Sequence, residues 1–68
     1  MELNNTLVEK CNLLGYKISD CKDLKELCDL LPKYIFIDKS LWCGNIHVDA
    51  DDYDYPNAVL KMLIKLNK

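Results

Sequence analysis

The chain reads as a small α+β domain of order α-α-β-β-α, with a two-stranded antiparallel hairpin packed on helices. Three observations predict it. Two amphipathic stretches with cap signals fill the first half of the chain. An alternating apolar run is then broken at Gly44-Asn45. A strongly apolar C-terminal stretch begins behind an Asp and a Pro. At 68 residues the chain is one domain, 1–68. A chain this short buries a modest share of its surface, so every element must contribute to a single core.

A first helix is expected from about Thr6 to Leu14. Thr6-Leu7-Val8-Glu9 fits the capping box, in which hydroxyl and carboxylate satisfy free backbone donors. Leu3, Leu7, Cys11 and Leu14 form an apolar stripe at spacings of four and three. Gly15 stands where a left-handed C-cap is wanted, with Tyr16 placed to pack back over the last turn. A second helix is expected from about Cys21 to Leu31, capped by Asp20 and stopped by Pro32. Its stripe is Leu24, Leu27, Cys28 and Leu31. The window from Leu7 to Ile18 echoes that from Leu24 to Ile35, as two similar amphipathic helices would.

Gly44-Asn45 is a two-residue hairpin turn that pairs Cys43 with Ile46, Trp42 with His47 and Leu41 with Val48. Simple alternation then puts Ile35, Ile37, Leu41, Cys43, Ile46 and Val48 on one face. Tyr34, Phe36, Ser40, Trp42, His47 and Asp49 fall on the other. Lys39 breaks the pattern. Either a bulge interrupts the strand near Asp38 to Ser40, or a tight turn at Asp38-Lys39-Ser40 shifts the register. A third helix starts behind Asp54, with Pro56 in its first turn, and runs to about Leu66. Asn57, Lys61, Lys65 and Lys68 make its polar stripe. The rest is apolar, a face wider than a surface helix needs. Either that helix is sandwiched between layers, or part of it is an interface.

Composition narrows function. The nine basic residues are all Lys, against eleven acids, for a net charge of −2. Phosphate contacts need a clustered basic face, so nucleic acid is not the expected partner. The expected second helix carries Asp20, Asp23, Glu26 and Asp29 against Lys22 and Lys25, which is wrong for a recognition helix. No apolar run is long enough to span a bilayer. The first ten residues show no basic region followed by an apolar core, so a cytoplasmic chain with reduced cysteines is expected.

Catalytic and metal chemistry find no pattern. Cys11, Cys21, Cys28 and Cys43 with His47 show no zinc spacing, and Cys43 and His47 lie on opposite strand faces. Asp49, Asp51, Asp52 and Asp54 fail the calcium-loop pattern, which needs Gly at the sixth place and Glu at the twelfth; here those are Asp54 and Leu60. One His among four Cys offers no assembled nucleophile and base. The chain is therefore expected to have no enzymatic activity and no cofactor. The residues singled out are Trp42, His47, Asp49, Asp51, Asp52, Tyr53 and Asp54, an aromatic and acidic surface suited to a protein partner with a basic surface. The alternatives are a homo-oligomer built on the wide apolar face of the last helix, or a Cys-based metal or redox protein.

The C-terminal DYDYPNAVLKMLIKL resembles the ending of short bacteriophage and prophage proteins, some of them grouped as small phage α/β/α sandwich domains. The resemblance covers the last third of the chain. It implies a small accessory or host-interaction protein and transfers no site residues.

Overall fold

The computed structural model describes residues 2–67. Its elements are α1 (Asn5–Leu13), a 3-10 turn (Ile18–Asp20), α2 (Leu24–Cys28), β1 (Ile35–Ile37), β2 (Ser40–Cys43), β3 (Ile46–Asp49), a second 3-10 turn (Asp51–Tyr53) and α3 (Tyr55–Leu66). The fold is α+β, and the strands form one antiparallel sheet in the order β1-β2-β3.

Local chemistry sets the helix ends. Asn4, not Thr6, caps α1: its side chain accepts from the Leu7 N–H at 3.2 Å. The helix closes as expected at Gly15, whose φ is +102°. Gly15 N–H donates to Asn12 O and Tyr16 N–H to Cys11 O, the paired bonds of a Schellman motif. α2 is shorter than its apolar stripe suggested. Asp23 caps it in place of Asp20, accepting from Glu26 N–H at 2.9 Å, while the Glu26 carboxylate reaches back to Lys22 N–H at 2.7 Å. That reciprocal pair starts the helix one turn later than Asp20 would. Ile18, ahead of it, is 1% exposed and belongs to the core.

α3 is the centre of the molecule. Asp54 caps it and Pro56 sits in its first turn, where a missing N–H costs nothing. Ala58, Val59, Leu60, Met62 and Leu63 are all buried. The helix packs on β2 and β3 with one side and on α1 and α2 with the other. Its wide apolar face is thus filled within the chain, in three layers: sheet, α3, then the two N-terminal helices. Lys61 and Lys65 remain exposed, and Asn57 is half-buried; Lys68 of the expected polar stripe lies outside the described residues. Cys11, Cys28, Leu27 and Leu41 complete the core beside it. Burying Leu41 and Leu60 alone contributes about 1.5–3 kcal/mol each.

The sheet has one more strand than the expected hairpin, because the tight turn exists and the bulge does not. Asp38 takes φ +51° and, with Lys39, turns the chain so that Ile37 pairs with Ser40, Phe36 with Leu41 and Ile35 with Trp42. β1 is therefore inverted relative to simple alternation. Phe36 shares the core face with Leu41 and Val48, whereas Ile35 and Ile37 face outward, 56% and 54% exposed. The β2–β3 register is as expected, with Cys43 opposite Ile46, Trp42 opposite His47 and Leu41 opposite Val48.

Candidate functional site

The sheet's outer face is a surface that the fold leaves open, with Ile35 and Ile37 exposed on it. Two rows cross it, Ile35–Trp42–His47 and Ile37–Ser40–Asp49. The helices lie on the opposite side. Cys43 and Ile46 close a two-residue turn, so alternation makes Trp42 and His47 a non-hydrogen-bonded pair, the kind whose side chains approach most closely. Their rings stack with centroids 4.6 Å apart and planes 23° from parallel. In the next row Ser40 Oγ donates to Asp49 Oδ1 at 3.0 Å.

Three of the residues singled out from sequence, Trp42, His47 and Asp49, are thus gathered on this face. Asp51, Asp52 and Tyr53 stand beyond its end in the second 3-10 turn, all exposed. With Lys39 and Asp49, Asp51 and Asp52 line an open hollow of about 610 Å³. Asp54 is committed elsewhere: it caps α3, accepting from Asn57 N–H at 3.4 Å and Asn57 Nδ2 at 2.7 Å. Sequence reasoning missed Ile35 and Ile37. The signal for them was the Asp38-Lys39 turn, whose register shift moves both to the outer face.

The expected grouping of Phe36 with Trp42 does not form, whereas Tyr34 and Trp42 line one open hollow with Lys33, Ile35 and Gly44. Inverting β1 sends Phe36 to the helix side, where its ring meets Tyr55 at 4.8 Å and Tyr34 at 5.7 Å. Tyr53 extends this edge-to-face chain, 6.2 Å from Tyr55. The chain closes around the β1–β2 turn. Tyr55 OH donates to Asp38 O at 2.9 Å, Tyr53 OH to Asp38 Oδ1 at 3.4 Å, and Lys39 Nζ lies 5.3 Å from the Tyr53 ring centre. Asp38, Asp52 and Tyr53 all have positive φ, so left-handed backbone outside glycine is concentrated at this corner.

Among the described residues, cysteine and metal chemistry find no assembled site. The four cysteines are free. Cys11, Cys28 and Cys43 are core side chains, and burial pushes their thiols above the usual range. Cys21 is half-exposed; desolvation raises its thiol first, then the negative charges of Glu26, Asp20, Asp29 and Asp23. A reactive thiolate needs the opposite surroundings. Cys43 faces the core and His47 the solvent, so the strand geometry separates them. Among the described residues no three His, Cys, Asp or Glu side chains stand where they could hold one metal ion. No helix among them is long and apolar enough to cross a membrane.

Compared with protein-family models, curated proteins and solved structures, the chain matches none.

Proposed function

We propose that the chain is a non-enzymatic protein-interaction module that docks on a basic surface of another protein. The observation that supports this reading is the uncovered outer sheet face. There the Trp42–His47 stack lies between exposed Ile35 and Asp49, next to the acidic hollow of Asp49, Asp51 and Asp52. A rigid, half-buried Trp with its neighbours in register presents apolar area at low entropic cost, as interface anchors do. The acids at the end of the sheet select a positively charged partner and speed its approach. Free thiols are those of a protein working in a reducing compartment such as the cytoplasm. The resemblance to phage proteins fits an accessory protein that occupies the surface of a host protein. Ala58, Val59, Leu60, Met62 and Leu63 of α3 are buried inside the fold, which favours this reading over a homo-oligomer built on that face.

The test is quantitative binding to a captured partner. Trp42→Ala is expected to weaken binding at least about tenfold, as loss of an aromatic anchor does. Asp51→Asn with Asp52→Asn is expected to slow association and flatten its salt dependence. An affinity that ignores both salt and Trp42→Ala overturns the proposal.

A further inference from the structure

The two edges of the sheet differ. On the β3 edge, Lys65 Nζ donates to His47 O at 3.0 Å, filling the acceptor an added strand would need. On the β1 edge the alternation set by the Ile37–Ser40 pair turns the Phe36 N–H and C=O away from β2, toward the free side. No side chain among the described residues bonds to either group. Exposed apolar surface lines both flanks of this edge. Ile35 and Ile37 are on the outer side, and Tyr34 and Tyr53, 43% and 53% exposed, end the aromatic chain on the helix side. An incoming strand would rest its alternate side chains on one flank and then the other.

We infer that β1 is the docking edge of the proposed interaction module, and that the partner adds an extended segment there as an antiparallel fourth strand. This rests on the protein-partner reading above. Charge sets the direction. Asp38 follows β1 and Lys33 precedes it. A strand antiparallel to β1 starts beside Asp38 and ends beside Lys33, so the fitting segment is basic at its N-terminal end, apolar at alternate positions and acidic at its C-terminal end. A second copy of this chain fits poorly. Antiparallel pairing of two β1 edges about Phe36 sets Lys33 against Lys39 of the other copy.

The experiment titrates the ¹⁵N-labelled chain with the peptide acetyl-Lys-Ile-Thr-Ile-Thr-Glu-amide, whose Lys falls beside Asp38 and whose Glu falls beside Lys33, and reads amide shifts and hydrogen exchange. Exchange at Phe36 is expected to slow at least about tenfold at saturation, with His47 unchanged. N-methylating the peptide should abolish binding at alternate residues only, because only alternate N–H groups face β1. Ile37→Lys, at an exposed position, should weaken binding about tenfold with the fold intact. Peptide-induced shifts confined to Trp42, His47 and the Asp51–Asp54 segment, with Phe36 unprotected, overturn the edge and leave the proposed function standing. No shift anywhere at millimolar peptide overturns the edge as a docking site for such a segment, and the proposed function then stands or falls on its own test by salt and Trp42→Ala. Tighter binding of the charge-reversed peptide overturns the antiparallel direction. Protection of Phe36 by raising protein concentration alone makes a second copy the occupant and overturns the inference.

Discussion

The backbone N–H of Asn4 donates to Oδ1 of Asn57 at 2.8 Å, joining the start of α1 to the first turn of α3 across 53 residues. The same amide donates through Nδ2 to Asp54 Oδ2 at 2.7 Å and to Glu2 O at 3.4 Å. One side chain therefore ties the N-terminal segment to the cap of the central helix. Asn57→Ala is expected to cost about 1–2 kcal/mol in urea unfolding, and Asn57→Asp more, since it adds a carboxylate beside Asp54. If Asn57→Asp is as stable as the parent chain, that amide does not hold the two helices together.

The two faces of β2 should separate stability from binding. Leu41→Ala opens a hole against α3 and is expected to cost about 2–5 kcal/mol. The Trp42–His47 stack faces solvent, and a double-mutant cycle to Ala should show a coupling of about 0.5–1 kcal/mol. A coupling indistinguishable from zero would mean that the rings share a register without attraction.

Thiol chemistry follows burial. Cys21 should react first with iodoacetamide, yet more slowly than free cysteine at the same pH, because desolvation and then its four acidic neighbours hold it protonated. Added salt screens those acids and should speed the reaction. Cys11, Cys28 and Cys43 should react only after unfolding. Their raised thiols also give stability a pH dependence. Above the ordinary thiol value of 9.0 the unfolded chain has released protons that the folded chain still holds. Stability is therefore full below that value and falls as pH rises through and beyond it. Urea midpoints at pH 8 and pH 10 check this, and triple replacement by Ala or Val should flatten the slope.

Asp52 holds φ +52° and ψ +33°, a left-handed conformation that glycine adopts without steric cost. Asp52→Gly is expected to raise stability by up to about 1 kcal/mol, and Asp52→Val to lower it by more, since a β-branched residue resists this conformation. A thermal melt of the two variants decides it. A loss of stability in Asp52→Gly would show that the carboxylate contributes more than the backbone costs.

Sequence reasoning read the parts whose chemistry is local. Asp54 with Pro56 marks the start of α3, Gly15 the end of α1, and Gly44-Asn45 the register of β2 and β3. It went astray where two local signals competed. Asp20 and Asp23 are both good caps, and the choice rests on Glu26 reaching back to Lys22. Asp38-Lys39 lacks the glycine that announces a turn, although Asp tolerates the φ that the turn requires. That one turn decided whether the candidate surface holds Phe36 or the pair Ile35 and Ile37. Pairing between Trp42 and His47 was legible because counting outward from Gly44-Asn45 fixes it. The edge-to-face chain from Tyr34 to Tyr53 was not, since it depends on where α3 begins relative to β1.

The helix that every layer leans on is also the one the ribosome delivers after the others. Until α3 emerges, α1 and α2 have no helix to pack on, and Leu41 and Val48 have no cover. The nascent chain up to Asp54 is then a set of amphipathic pieces with no shared interior, and a site for chaperone contact. Acquisition of structure is expected to be a single late event, triggered when Val59, Leu60, Met62 and Leu63 become available. Pausing synthesis before α3 would leave a protease-sensitive chain, and supplying that helix separately would restore resistance.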